Sequence, residues 1–250
     1  MGSTHYHCPG EHVDVIVLAG AKSDPELLEA SGAEYRCEIE IGGRAMLDIV
    51  LAACEGLGPT VVVGPRAREG ASLAAPGERL LQSMRNGLGA CSGQDVLFVT
   101  ADLPYIEARH VADFLAAVPK GVGLAYSVVP VQACYDRFPG QKRTALKARE
   151  GSFTGGNLIY AQRGVVDRLL GLMEAAYAAR KSPLRLASLV GFGVAVRTAL
   201  GQIWPGSLPL CYLEGVFSCR IGAQARAIVL PHPEIATDVD SVAQYRAAMG

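Results

Sequence analysis

Val13-Asp14-Val15-Ile16-Val17-Leu18-Ala19-Gly20-Ala21 is the stretch whose reading decides the fold. A short aliphatic, β-branched run closed by small residues reads as a parallel strand buried on both faces that runs directly into a tight loop. In open α/β sheets the crevice at the carboxyl ends of the strands is where nucleotides and phosphates bind. Residues with little or no side chain let backbone N–H groups approach an anion closely there. Many buried strands end in Ala-Gly for packing alone, so the weight of this one depends on what else points to the same edge.

The pattern recurs along the chain. Residues 60–63 form a second apolar run, ended by Gly64-Pro65, and residues 96–100 a third, closing on Ala101-Asp102-Leu103-Pro104. Helical periodicity over 45–55, 78–88 and 107–118 separates these runs, and a further strand is expected around 123–127. Strands alternating with helices of this length predict an α/β protein with a mostly parallel, doubly wound sheet. Before the second strand, 26–30 reads as a short helical turn, 37–41 alternates like a strand, and Gly42-Gly43-Arg44 is a turn. After Pro130 the rhythm changes. Residues 144–148 read as a strand, Gly155-Gly156-Asn157 as a glycine-rich loop ahead of an apolar strand, and 164–179, 184–190 and 194–200 as helices, with Pro183 at a helix start. A late strand at 225–230 and a last helix at 241–249 follow. The division expected is a flexible segment over 1–12, then one domain over 13–250 whose acceptor-side lobe spans roughly 130–220.

Composition narrows the class. Half of the 250 residues are hydrophobic and 19% are charged, which argues for a sizeable core and against disorder. A formal net charge of −1 gives no broad footprint for nucleic acid, and no apolar run approaches the ~20 residues that span a bilayer. The polar N-terminus, with His5, His7 and His12, lacks the layout of a signal peptide. His5 and His7 with Cys8 read as an adventitious chelating cluster. The 7 cysteines are scattered, with no Cys-x-x-Cys pair, which points to reduced thiols in the cytoplasm.

Several residues carry chemistry at the strand ends. Asp102 directly follows a buried strand, and Pro104 restrains the turn after it. A carboxylate placed there either caps the next helix or holds a hard cation such as Mg2+ together with phosphate oxygens. Asp238-Val239-Asp240 offers a second carboxylate. Spacing does not decide which Asp faces the metal, and Asp240 is favoured. Cations that would neutralise charge in phosphoryl transfer are Lys22, Arg36, Arg44, Arg85 and the group Lys142, Arg143 and Lys147. Arg143 and Lys147 lie near Gly155-Gly156-Asn157, whose glycines would admit a ligand and whose amide would hydrogen-bond it. No Gly-x-Ser-x-Gly elbow, Walker loop or complete dinucleotide fingerprint is present in the sequence.

Taken together, Val-Leu-Ala-Gly at the first strand end, Ile41-Gly42-Gly43-Arg44-Ala45-Met46-Leu47, Val99-Thr100-Ala101-Asp102-Leu103-Pro104 and Asp238-Val239-Asp240 resemble the MobA-like nucleotidyltransferase family. That family includes molybdenum-cofactor guanylyl- and cytidylyltransferases and is related to the sugar-phosphate nucleotidyltransferases. The resemblance implies a GT-A-like (Rossmann-like) three-layer α/β/α sandwich that binds an NTP and Mg2+. A phosphorylated small molecule would attack the α-phosphate and release pyrophosphate. By position it implies Leu18, Ala19, Gly20, Ala21, Thr100 and Ala101 around the nucleotide, and Ser83, Asn86 and Gly87 at its base. It further implies Asp102 and Asp240 on the metal, Lys22 and Arg36 on phosphates, and Arg143, Lys147, Gly155, Gly156 and Asn157 at the acceptor. CTP and GTP are the favoured nucleotides, and a homodimer is left open. Four departures stand out: Ala21 replaces a second glycine, no Arg-x-Gly follows it, Arg36 stands where a Lys is usual, and Ala45 stands where a Pro is. A glycosyltransferase using a nucleotide-sugar and a non-catalytic nucleotide-binding protein are the alternative readings.

Overall fold

All five residues of β1 (Asp14–Leu18) are buried, as a central strand of a covered parallel sheet requires. The structure is a computed structural model and describes residues 12–66, 68–141, 143–179 and 204–249. After β1 come α1 (Pro25–Ser31), a hairpin of β2 (Glu40–Ile41) and β3 (Arg44–Ala45), α2 (Met46–Ala53), β4 (Thr60–Val63), β5 (Ser72–Ala74) and α3 (Leu80–Ala90). The chain continues through β6 (Asp95–Thr100), α4 (Ala108–Ala117), β7 (Leu124–Pro130), α5 (Val131–Arg137), β8 (Leu146–Ala148) and β9 (Gly151–Gln162). It ends with α6 (Arg163–Ala179), α7 (Leu210–Ile221), β10 (Ala225–Val229) and α8 (Val242–Met249).

Among the described residues the main sheet runs β10-β7-β9-β6-β1-β4-β5, with β8 on β9. β1 pairs in parallel with β4 and β6, and β10 with β7, while β9 is antiparallel to β6 and β7. The sheet is therefore mostly parallel, with one reversed strand set into its middle. The period-two alternation of β1 shows the layers. Val15 and Val17 face a core built with Leu47 and Val50 of α2 and Phe114 of α4. Ile16 and Leu18 face the other way, toward Met84 of α3 and Leu169 and Leu170 of α6. Each such side chain, removed from water, contributes about 1.5–3 kcal/mol, so both faces stay covered and the open part of the sheet is its ends.

Two local expectations are corrected. Residues 37–41 do not form one strand: Arg36–Glu38 is a 3-10 turn and only Glu40–Ile41 extends. Gly155, Gly156 and Asn157 are not a loop but lie inside β9. The reason is the crossing with β7, where the register shifts between Tyr126 and Val128. Buried Ser127 donates its hydroxyl to Leu158 C=O at 3.0 Å and accepts the Leu158 N–H at 3.1 Å. A Cβ on Gly156 would lie 2.3 Å from the Ser127 Oγ, so glycine is what lets the two strands close there. Helix α7 had no forecast, and the helices expected over 184–190 and 194–200, with Pro183, lie outside the described residues. So do His5, His7, Cys8 and Lys142.

The C-terminus returns to the carboxyl edge of the sheet. Val239 packs with Leu27 of α1, Ile39 and Met46 in a small separate core, against which Val242 and Tyr245 of α8 also rest. Among the described residues no helix is long and apolar enough to cross a membrane. The six described cysteines are free thiols, in line with the expected reduced state.

Candidate active site

The carboxyl ends of β1 and β6 stand side by side. The Ala101 N–H donates to Leu18 C=O at 3.1 Å, extending the ladder by one bond and delivering Asp102 just above the sheet. Across the crevice, loop residues 21–23 pair with 34–36. Arg36 N–H donates to Ala21 C=O at 3.0 Å, Ser23 N–H to Glu34 C=O at 2.8 Å, and Lys22 bridges to Tyr35. This pairing aims Arg36 inward, where its Nη1 lies 3.9 Å from Asp102 Oδ2. From the third side the Val239 N–H donates to Asp102 C=O at 3.0 Å, bringing Asp238 within electrostatic reach.

The Asp102 side chain is only 13% exposed. Burial pushes its pKa up to about 6, with the Asp238 charge adding to the rise. The nearby Thr100 hydroxyl and Arg36 act in the opposite direction. Asp238 is raised too, chiefly by burial and then by Asp240, with Arg143 and Arg36 opposing. Asp102, Asp238 and Asp240 thus form an acidic group at the strand ends. Among the described residues, four buried polar atoms around it, Arg36 Nε, Thr100 Oγ1, Asp102 Oδ1 and Arg143 Nε, have no hydrogen-bond partner. An unmade bond costs about 1–3 kcal/mol at a buried group, so a polar ligand at this place would find partners ready. Oxygen-only donors with one carboxylate oxygen unengaged fit a hard divalent cation, which takes one or two protein carboxylates and completes its shell with water and phosphate.

The other expected residues fall into three groups. Arg36, Thr100, Ala101 and Asp102 are brought together at the crevice, with Asp238 nearer to Asp102's field and Asp240 exposed beside it. Val239 is turned into the core, and Asp238 and Asp240 flank it on the outside. The apolar Val between two acids carried that signal.

A second group makes contacts within the fold. Lys22 pairs with Glu34 at 2.8 Å on the surface, its charge also 5.4 Å from the Tyr35 ring. Leu18 and Ala19 turn into the core, and the Ala19 N–H already donates to Val63 C=O at 2.8 Å. A Cβ on Gly20 would lie 2.5 Å from Pro76 Cβ, so the loop after β5 packs straight onto this turn. Ser83 accepts the Gly77 N–H at 2.9 Å and Asn86 donates to Ala75 C=O at 2.8 Å, both pinning that loop. Gly87 sits where α3 touches β1 and β4, a Cβ there meeting Ile16 at 2.5 Å. Ala21, next to Lys22, is exposed.

The third group comes from residues 143–157. Lys147 is an exposed residue of β8, opposite Ser152. Arg143 and Asn157 bind the segment before Asp238: Arg143 reaches Ala236 C=O and Thr237, and Asn157 donates to Ile235 C=O at 3.1 Å.

A further cluster was not anticipated. His110, His232 and Glu234 have potential ligand atoms within 4.8 Å of one another. Their hydrogen bonds oppose a metal. His110 Nδ1 accepts the Glu107 N–H at 3.1 Å in a capping box at the start of α4, which leaves its proton on Nε2, the atom facing Glu234. His232 Nε2 is 2.8 Å from Asp113.

Residues 15–185 match the MobA-like NTP transferase domain. The chain is 34% identical to a hypothetical transferase from Thermus thermophilus, with a TM-score of 0.79 over 93% of this chain and 99% of that one. A 2-C-methyl-D-erythritol 4-phosphate cytidylyltransferase, also from Thermus thermophilus, is 17% identical, with a TM-score of 0.53 over 95% of this chain and 97% of that one. Rv0371C from Mycobacterium tuberculosis, in complex with manganese, is 14% identical, with a TM-score of 0.50 over 95% and 98% of the two chains. The last two likenesses concern the fold. No curated protein sequence matches the chain.

Proposed function

The chain belongs to the MobA-like NTP transferase family, and from that premise we propose that it is a Mg2+-dependent nucleotidyltransferase acting on an NTP and a phosphorylated small molecule. An oxygen of the acceptor phosphate attacks the α-phosphorus, the bond from that phosphorus to the β-phosphate oxygen breaks, and pyrophosphate leaves with the electron pair. The acceptor phosphate is already an anion, so the step needs no general base and no covalent enzyme intermediate. The work left to the protein is positioning and charge stabilisation.

The observation that carries this reading is the convergence of Thr100, Asp102 and Arg36, each with a buried, unpartnered polar atom, at the adjoining ends of β1 and β6. Asp102 would hold the cation, with Asp238 and Asp240 beside it. When bound, Mg2+ supplies charge neutralisation and a template for the triphosphate. Arg36 presents a planar, permanently charged fork suited to phosphate oxygens, a role Lys fills only as a point charge. Lys22, paired with Glu34 at the rim, would meet incoming phosphate first. The loop over Gly20, pinned by Ser83 and Asn86, would frame the base, and CTP or GTP is the proposed donor. The exposed side of β8 and β9, with Lys147, would face the acceptor. Free thiols support a cytoplasmic setting.

The test is pyrophosphate release from CTP and GTP with Mg2+ across a panel of phosphorylated sugars and polyols. The reading requires release that depends on both Mg2+ and acceptor and is lost in Asp102→Asn. Sugar transfer from a nucleotide-sugar without pyrophosphate, or tight NTP binding without turnover on any acceptor, contradicts it.

A further inference from the structure

Residues 237–240, which carry the late carboxylates to Asp102, have no helix or strand of their own. A free segment of this kind loses about 1–2 kcal/mol of backbone entropy per residue on being fixed. Here three successive residues are held from outside before the chain reaches Asp238. Asn157, from the middle of β9, donates Nδ2–H to Ile235 C=O at 3.1 Å. Arg143 donates through Nη1 to Ala236 C=O and through Nη2 to Thr237 Oγ1 at 2.6 Å, with Gln141 Oε1 on the same nitrogen at 2.5 Å. Thr237 in turn donates its hydroxyl to Pro233 C=O at 2.8 Å. Beyond Asp238, the Val239 N–H is fixed to Asp102 C=O at 3.0 Å.

We propose that Arg143 and Asn157 are positioning residues: they clamp residues 235–237 so that the Asp238 carboxylate is held beside Asp102, where the two share a divalent cation. The cation part rests on the nucleotidyltransferase reading; the clamp does not. Asn157 points its amide at a main-chain carbonyl, and both terminal nitrogens of Arg143 meet protein oxygens, so both side chains make contacts that hold this segment. Charge makes the idea sharp. A guanidinium near a cation site weakens cation binding by repulsion, so if its charge were all that mattered, removing Arg143 would tighten the site. If its geometry matters, removal loosens it.

The experiment uses the full chain and two readouts: Mn2+ alone, followed by loss of the free-ion electron paramagnetic resonance signal, and amide hydrogen exchange at Val239. Arg143→Met and Asn157→Leu are each expected to weaken Mn2+ binding about tenfold or more, the usual effect of losing an orienting partner of a ligand. The Val239 amide should exchange about tenfold faster, by loss of local protection, with Val17 and Val99 in β1 and β6 unchanged as the test of folding. Arg143→Lys keeps the charge and loses the fork, and is expected to fall with the Met variant; with Asn157→Ser it serves if the larger changes do not fold. Unchanged or tighter Mn2+ binding in the Arg143 variants, or unchanged Val239 exchange, overturns the proposal. If the wild type binds no Mn2+, or Asp102→Asn binds it equally, the nucleotidyltransferase reading fails. Exchange at Val239 then decides the clamp by itself.

Discussion

Asp102 is held under two opposing demands. Its burial raises the pKa from 3.8 to about 6, a difference of about 3 kcal/mol at 1.36 kcal/mol per pKa step. An unfolded Asp102 would lose its proton near 3.8 while the folded one keeps it until about 6. The unfolded chain therefore binds fewer protons in that window, and stability falls as pH rises through it. Above pH 6 the metal-free protein carries the full cost. Asp102→Asn removes the charge at nearly constant shape, so at pH 7.5 the metal-free variant is expected to gain ~1–3 kcal/mol in urea unfolding while losing all Mg2+-dependent activity. A variant less stable than wild type at pH 7.5 would contradict the burial argument. Arg36 lies beside Asp102, its Nη1 3.9 Å from Asp102 Oδ2. The sequence departs there from the usual Lys, yet the pairing of 21–23 with 34–36 aims it at Asp102, and Arg36→Met is expected to abolish phosphate-dependent binding without unfolding the chain.

At the level of elements, two contacts carry testable weight. His110 at the start of α4 accepts the Glu107 N–H only while its Nδ1 is unprotonated. Burial lowers its pKa below the usual 6.5, with Glu234 opposing. The unfolded His binds a proton first as pH falls, so this stabilisation is full above 6.5 and is lost as pH drops below it. His110→Ala is expected to cost ~1 kcal/mol for the lost cap and more for the cavity it leaves; chemical denaturation at pH 7.5 and 5.5 should show the gap between wild type and variant narrowing at the lower pH. In β9, Gly156→Ala is expected to cost ~1–3 kcal/mol by forcing the β7 crossing apart, and a melting curve unchanged from wild type would refute the close-packing account. The same elements explain what was legible in advance. β1, β4 and β6 are buried on both faces, so their apolar runs announce them, and the helices between them have clear apolar stripes. The glycine pair in β9 misled because the signal of a loop and the signal of a strand crossing are one and the same without knowledge of the partner, Ser127. Residues 37–41 alternate in hydropathy because Cys37 and Ile39 point inward, which a 3-10 turn satisfies as well as a strand does.

On the scale of the whole molecule, the candidate site is assembled by return of the chain end to its beginning. Val239 is anchored among Leu27, Ile39 and Met46, so the carboxylates at 238 and 240 reach the end of β6 from more than 130 residues downstream. Sequence order cannot reveal that approach; the motif Asp-Val-Asp gave the residues but not which one meets Asp102. The resemblance supplied the frame, and the contacts of Arg143 and Asn157 with residues 235–237 add the proposed positioning role to it. The central claim is that a nucleoside triphosphate binds at the ends of β1 and β6 through a cation held by Asp102. It is tested most directly by melting the wild type and Asp102→Asn with CTP, GTP, ATP and UTP, each with and without Mg2+. A nucleotide at a hundredfold its Kd stabilises the native state by about 2.7 kcal/mol, which is readily seen as a higher Tm. One or more nucleotides are expected to raise the wild-type Tm only when Mg2+ is present, and Asp102→Asn to abolish the rise. No stabilisation by any nucleotide, or an equal rise in the variant, would contradict the claim.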